Sequence, residues 1–248
     1  MKKYDLVYMD PPWKYRDKAE AGNRGAESKY PVMPLKSIMA IPVNELTQDD
    51  AILMMWATKP LLREALRLIE AWGFKYVTTA FTWIKLSKDG NPMLNMGAAS
   101  TRGNAEDVLF ATKGNGLRRK HAGISQVVMT KERLEHSAKP EEVRSRIDLL
   151  FPEGNRLEMF SRTEAENWDV WGNQAEKSIS HPLLNNWYQH FVKPEMSEDK
   201  NRYLDVVSDN DYYRDLHLLH AEDFNLRARR VSTPVSLSQK DLIKDMPK

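Results

Sequence analysis

With 248 residues, the chain is long enough for one substantial core and an appendage but too short for two full domains. Apolar residues make up 41% and charged residues 29%, the balance of a packed soluble protein rather than a disordered one. Thirty-seven basic residues against 35 acidic leave a net charge of +2, so any nucleic-acid contact has to come from local patches. The lack of cysteine excludes a disulfide framework, a thiolate zinc site and a cysteine nucleophile, and six scattered histidines suggest no metal site.

From the amino terminus, the apolar run within Met1 to Met9 is too short for a signal-peptide core or a membrane span, so the cytoplasm is the expected compartment. Strands are expected at Tyr4 to Met9, Ala51 to Trp56, Tyr76 to Ile84, Asp107 to Thr112, Ser125 to Met129 and Arg156 to Phe160. Their apolar runs are continuous, as in parallel strands covered on both faces. The segments Pro60 to Trp72 and Pro140 to Leu150 supply helices, which makes the class α/β. The first has Pro60 at its start, Leu61, Leu62, Ala65, Leu68, Ile69 and Trp72 on one stripe, and Gly73 as its stop. Three long polar loops, Lys14 to Lys29, Lys85 to Arg102 and Lys113 to Ile124, are where binding is expected to concentrate. Beyond about Glu176 the pattern changes to short amphipathic pieces, His181 to Val192 and Asp211 to Phe224, and a polar end. The expected division is a catalytic domain over 1–176 and a helical extension with a loose tail over 177–248.

The first strand ends in Asp10, Pro11, Pro12 and Trp13. In open α/β sheets, ligands bind beyond the carboxyl ends of the strands. Two successive prolines remove two donors and stiffen the exit, leaving a corner rich in acceptors. Methylation of an adenine amine needs such acceptors: Asp10 for one N–H, the Pro11 carbonyl for the other, and a flat face such as Trp13 against the base. A duplex target would first be flipped out. Taken alone, the same four residues also read as a helix N-cap followed by proline, with no chemistry attached.

The remaining motifs narrow this. Asp10-Pro-Pro-Trp13 is followed by Tyr30-Pro-Val-Met33, Trp56-Ala-Thr-Lys59, Phe81-Thr-Trp-Ile-Lys85, Thr101-Arg-Gly-Asn-Ala-Glu106, Leu109-Phe-Ala-Thr-Lys-Gly114, His136-Ser-Ala-Lys-Pro140, Leu157-Glu-Met-Phe-Ser-Arg162 and Trp171-Gly-Asn-Gln174. In order and spacing they resemble the MT-A70 family of adenine N6-methyltransferases over roughly Tyr4 to Gln174. The resemblance implies a permuted Rossmann-like methyltransferase fold, mostly parallel, with helices on both faces, and S-adenosylmethionine as cofactor. Phe160-Ser-Arg-Thr163 stands where a glycine-rich turn would otherwise cradle that cofactor. By similarity, Asp10 and Pro11 polarise the amine, Pro12 fixes the corner and Trp13 stacks on adenine.

The resemblance further implies a cofactor shell of Asp10, His136, Lys139, Glu158, Arg162, Asn173 and Gln174. Lys139 would face the methionine carboxylate; Glu158, Arg162, Asn173 and Gln174 would surround the ribose. His136 reads equally as a structural histidine, and Asn173-Gln174 as a polar turn. Tyr30 would line the base pocket or anchor its loop within the core. Arg102, Lys113, Arg118, Arg119 and Lys120 lie on loops expected at one sheet edge, where they would meet phosphates unless they form a solvated face. DNA is the preferred polymer because the chain is small and carries no recognisable RNA-binding module; RNA is the alternative, and a non-catalytic nucleic-acid-binding partner a further one. The expected state is a monomer or homodimer.

Overall fold

The computed structural model describes residues 1–13, 33–93, 101, 103–131, 138–172 and 175–191. Seven strands form one sheet: β1 (Tyr4–Met9), β2 (Thr47–Ala57), β3 (Lys75–Lys85), β4 (Ala105–Lys113), β5 (Val127–Thr130), β6 (Arg156–Met159) and β7 (Asp169–Trp171). Their spatial order is β5-β3-β4-β2-β1-β6-β7. β1 pairs in parallel with β2 and β6, β6 with β7, and β3 with β5, whereas β4 runs antiparallel to both β2 and β3. Six strands therefore point one way, and their carboxyl ends share a sheet edge with the amino end of β4.

Helices cover both faces of the sheet. On one lie α1 (Leu35–Met39), α2 (Val43–Leu46), α3 (Leu62–Ala71) and α5 (Pro182–Phe191), whose Ile38, Val43, Leu46, Leu68, Ile69, Leu184 and Trp187 pack with Val7, Leu53, Met55 and Leu157. On the other, α4 (Glu141–Leu150) sets Val143 and Ile147 against Leu6, Tyr8, Ile52, Met54 and Trp56. Neighbouring residues of β2 thus enter opposite cores, which explains the continuous apolar run in its sequence. Among the described residues, no helix is long and apolar enough to cross a membrane.

α3 is entered through a 3-10 turn at Lys59–Leu61 and buries Ala65, Leu68 and Ile69. Leu62, expected on the buried stripe, lies at its rim and stays exposed. Gly73 ends the helix at φ +77: its N–H reaches Glu70 O at 3.0 Å and that of Phe74 reaches Ile69 O at 3.0 Å, the paired bonds of a left-handed C-terminal cap. α5 packs against the sheet although its sequence reads as part of an extension. Leu184 and Trp187 are buried in the core, and Trp187 Nε1 donates to Ser37 O at 2.9 Å. The compact unit accordingly runs from Met1 to Pro194. The amphipathic piece expected at Asp211 to Phe224 and the polar tail lie outside the described residues.

Candidate active site

β1 delivers Asp10 to the carboxyl edge of the sheet. The chain then doubles back: Trp13 N–H donates to Pro11 O at 2.8 Å, and Met33 N–H to Pro12 O at 2.9 Å. The corner is as tight as two prolines suggest, but the Pro11 carbonyl, expected to be free, already accepts one bond and keeps a single lone pair for another partner. Trp13 is 6% exposed, with its indole in the core and its Nε1 without a partner among the described residues. Little of the ring is open to solvent.

Lys139, immediately before the Pro140 that caps α4, places its Nζ 2.6 Å from Asp10 Oδ2 and 3.5 Å from Glu106 Oε2. The opposite oxygen of Glu106, at the start of β4, is paired with Lys85 at the end of β3. The Lys139 ammonium lies 5.4 Å from the centre of the Trp56 ring, and that of Lys85 lies 4.6 Å from Trp83. The two indoles meet edge to face at 6.0 Å, forming an aromatic wall along the charges. Burial pushes the Asp10 carboxyl above its ordinary value, against the pull of Lys139, with Glu106 adding to the rise and Arg162 opposing it. Burial also works against ionised Glu106, yet Lys139 and Lys85 together hold it below the usual carboxylate range. Lys139 is pushed down by burial but more strongly up by its two carboxylates, so it stays charged.

Of the residues expected around a cofactor, Asp10, Lys139 and Arg162 share one electrostatic neighbourhood. Lys139, assigned by similarity to the methionine carboxylate, here engages two protein carboxylates. Glu158 on β6 is paired with Arg144 of α4, which also holds Glu141; burial raises Glu158 despite that cation. Beyond β6, Phe160 adopts φ +62, the left-handed geometry usually left to glycine. The turn is therefore made without the glycines whose absence marked the sequence. Its successor Ser161 is crossed by Gly172, where a Cβ would fall 2.0 Å from the Ser161 carbonyl oxygen. Tyr30, Arg102, His136, Asn173 and Gln174 lie outside the described residues.

The placement of Lys113, Arg118, Arg119 and Lys120 requires a correction. Because β4 is antiparallel, it begins beside Asp10 and ends at the other edge of the sheet, with Lys113 about 23 Å from Glu106 at strand spacing. Lys113 Nζ is tied to Asn44 O at 2.9 Å, and Lys120 Nζ to Glu153 at 3.1 Å beyond the far end of α4. These residues do not border the corner. Conversely, Glu106 and Lys85 stood inside quoted motifs without an assigned role; charged residues at strand ends were the available signal.

The stretch that carries the corner and its flanking motifs is similar to known proteins. A family model described as MT-A70 matches residues 4–174. The chain is 34% identical over 187 residues to the Type II methyltransferase M.MunI of Mycoplasma sp, covering 69% of this chain and 77% of that protein. It is 30% identical over 181 residues to the N6-methyladenosine RNA methyltransferase MTA1 of Cryphonectria parasitica, covering 70% of this chain and 52% of that one. Against the human N(6)-adenine-specific methyltransferase METTL4 it is 23% identical over 189 residues, covering 71% of this chain but 38% of the larger protein. The resemblance carried by the motifs is thereby borne out: the chain belongs to the MT-A70 family and is an adenine N6-methyltransferase.

Proposed function

We propose that the chain transfers the methyl group of S-adenosylmethionine to N6 of adenine in DNA. The observation that carries the reading is Asp10 itself: a carboxylate at the carboxyl end of β1, an interior strand, one third of its side chain still open, with Oδ2 held by Lys139 and Oδ1 outside that ion pair. The residues present fit the cofactor. Asp10 and Glu158 offer acceptors for its ammonium and hydroxyl groups, Arg162 a cation for its carboxylate, and the glycine-free turn at Phe160 an exit from β6 at the same sheet edge. Bound there, S-adenosylmethionine supplies an electrophilic methyl on a positively charged sulfur, which departs with the S–C electron pair.

The protein's part is to prepare the amine and remove its proton. Asp10 accepts one N–H and the remaining lone pair of Pro11 O the other, which favours a pyramidal nitrogen with its own lone pair free for the methyl. Once methylated, the nitrogen sheds one proton, and Asp10 is placed to take it. Burial and Glu106 make Asp10 a stronger acceptor than an ordinary carboxylate, and Lys139 opposes that rise.

DNA as the polymer is supported by the similarity to M.MunI, whose name is that of a Type II methyltransferase and of which the chain spans 77%. Similarity to MTA1, named as an RNA enzyme, supports RNA as the second reading. Labelled methyl transfer to matched duplex DNA, single-stranded DNA and RNA, with nucleoside analysis, separates them. N6-methyladenine in DNA alone is the expected outcome; product only in RNA overturns the choice of polymer, and Asp10→Ala with undiminished transfer overturns the mechanism.

A further inference from the structure

Lys85, Glu106, Lys139 and Asp10 alternate in sign along one run of contacts, yet each arrives from a different part of the fold: the end of β3, the start of β4, the approach to α4 and the exit of β1. The order is fixed by the sheet. Trp83 faces Glu106 in the β3–β4 register, which puts Lys85 within reach of Oε1, while Oε2 is turned to Lys139. Side-chain exposure is 27% at Lys85, 20% at Glu106, 17% at Lys139 and 33% at Asp10, so the run is most covered in its middle and most open at Asp10. A lysine stem has four rotatable bonds; what keeps this one on one side of Asp10 is the second carboxylate behind it.

We propose that Glu106 is a positioning residue for the transfer step: it anchors Lys139 on the Oδ2 side of Asp10, so that Oδ1 is the oxygen presented to the target amine. The inference rests on the reading of Asp10 as the amine's acceptor.

The charges facing Asp10 are Lys139, Glu106 and Arg162, with Tyr8 beneath on its own strand and Lys85 acting through Glu106. Glu106 is the like charge among them. Glu106→Gln leaves Lys139 wholly to Asp10, so the acid limb of kcat/KM moves to lower pH. Lys85→Met removes the cation behind Glu106, so Glu106 draws more strongly on Lys139 and the acid limb moves to higher pH. Two variants of one packed wall that shift the profile in opposite directions are not explained by loosened packing.

The test follows methyl transfer against pH for the full-length wild type, Glu106→Gln, Glu106→Asp, Lys85→Met and Asp10→Ala, with S-adenosylmethionine affinity of each by calorimetry. For Glu106→Gln, kcat is expected to fall about tenfold or more with affinity within about twofold of wild type, and Glu106→Asp to recover part of the loss. Limbs that move the same way or stay in place overturn the proposal, as does a loss of affinity that accounts for the whole loss of rate. Lys85→Met keeps every carboxylate and carries the test where Glu106→Gln does not fold. Activity in Asp10→Ala overturns the assignment of Asp10 as well; an inactive Asp10→Ala with an unmoved Glu106→Gln profile overturns only the role of Glu106.

Discussion

Trp56 donates its indole N–H to the Tyr8 hydroxyl across 2.6 Å, and both side chains are buried, at 1% and 4% exposure. The bond joins the strand that ends at Asp10 to its neighbour β2 and fixes the ring that backs Lys139. Tyr8→Phe removes the acceptor and leaves the indole N–H buried without a partner, at a cost of about 1–3 kcal/mol. Thermal melting should show a drop of several degrees, and methyl transfer should weaken with it; an unchanged melting temperature would place the indole's stabilisation elsewhere.

Asp10→Asn keeps the shape of the side chain but loses the proton acceptor and the charge that Lys139 holds. Transfer should fall by about 10²-fold or more at neutral pH. Single-turnover assays at saturating cofactor check this. The acid limb of the wild-type enzyme should lie above the ordinary aspartate value, because burial and Glu106 raise Asp10.

Folding stability should respond to acid through Glu106, whose carboxyl is held below its ordinary value of 4.5 in the native state by Lys139 and Lys85. A depressed acid contributes stability that is fully present above about pH 4.5 and is lost as the pH falls through the native value. Glu106→Gln removes that contribution, so its melting temperature should decline less between neutral and acidic buffer than that of the wild type. Equal declines would mean that Glu106 is not the responsible group.

Gly172→Ala drives a Cβ to within 2.0 Å of the Ser161 carbonyl oxygen, a backbone atom that cannot rotate aside. The segments after β6 and β7 must separate, costing about 1–3 kcal/mol or more. Denaturant titration measures the loss. Cofactor affinity should fall as well, since the turn from Phe160 to Arg162 is displaced.

Replacing Arg118, Arg119 and Lys120 together by alanine should leave KM for nucleic acid and its dependence on salt unchanged, because they lie at the sheet edge remote from Asp10. Transfer rates across a salt series provide the check, and a flatter dependence would bring that loop back into contact with the polymer.

β1 was legible to the residue, and the body of α4 nearly so, because an unbroken apolar run and a proline-led periodic stripe are local signals. α1 and α2, five and four residues long, are too short to show a period, and β7 has three residues. The reversal of β4 was not legible, since a buried strand reads alike in either direction; that one ambiguity carried Lys113 and its neighbours to the wrong edge. Asp10 stood out through its prolines, whereas its partners Lys139 and Glu106, 129 and 96 positions away, become neighbours only when the sheet order brings their elements together.

The position of β1 between β2 and β6 also has a bearing on how the chain reaches its native state. Its Leu6 pairs on one side with Ile52 but on the other with Arg156, 150 residues further along. Closing so distant a pairing is slow, and a chain emerging vectorially from synthesis carries its first strand half-partnered until β6 arrives. Lys139 precedes β6 by only a short stretch, and Trp187 follows it. The corner at Asp10, although it precedes the other strands in the sequence, is thus among the last regions to be completed.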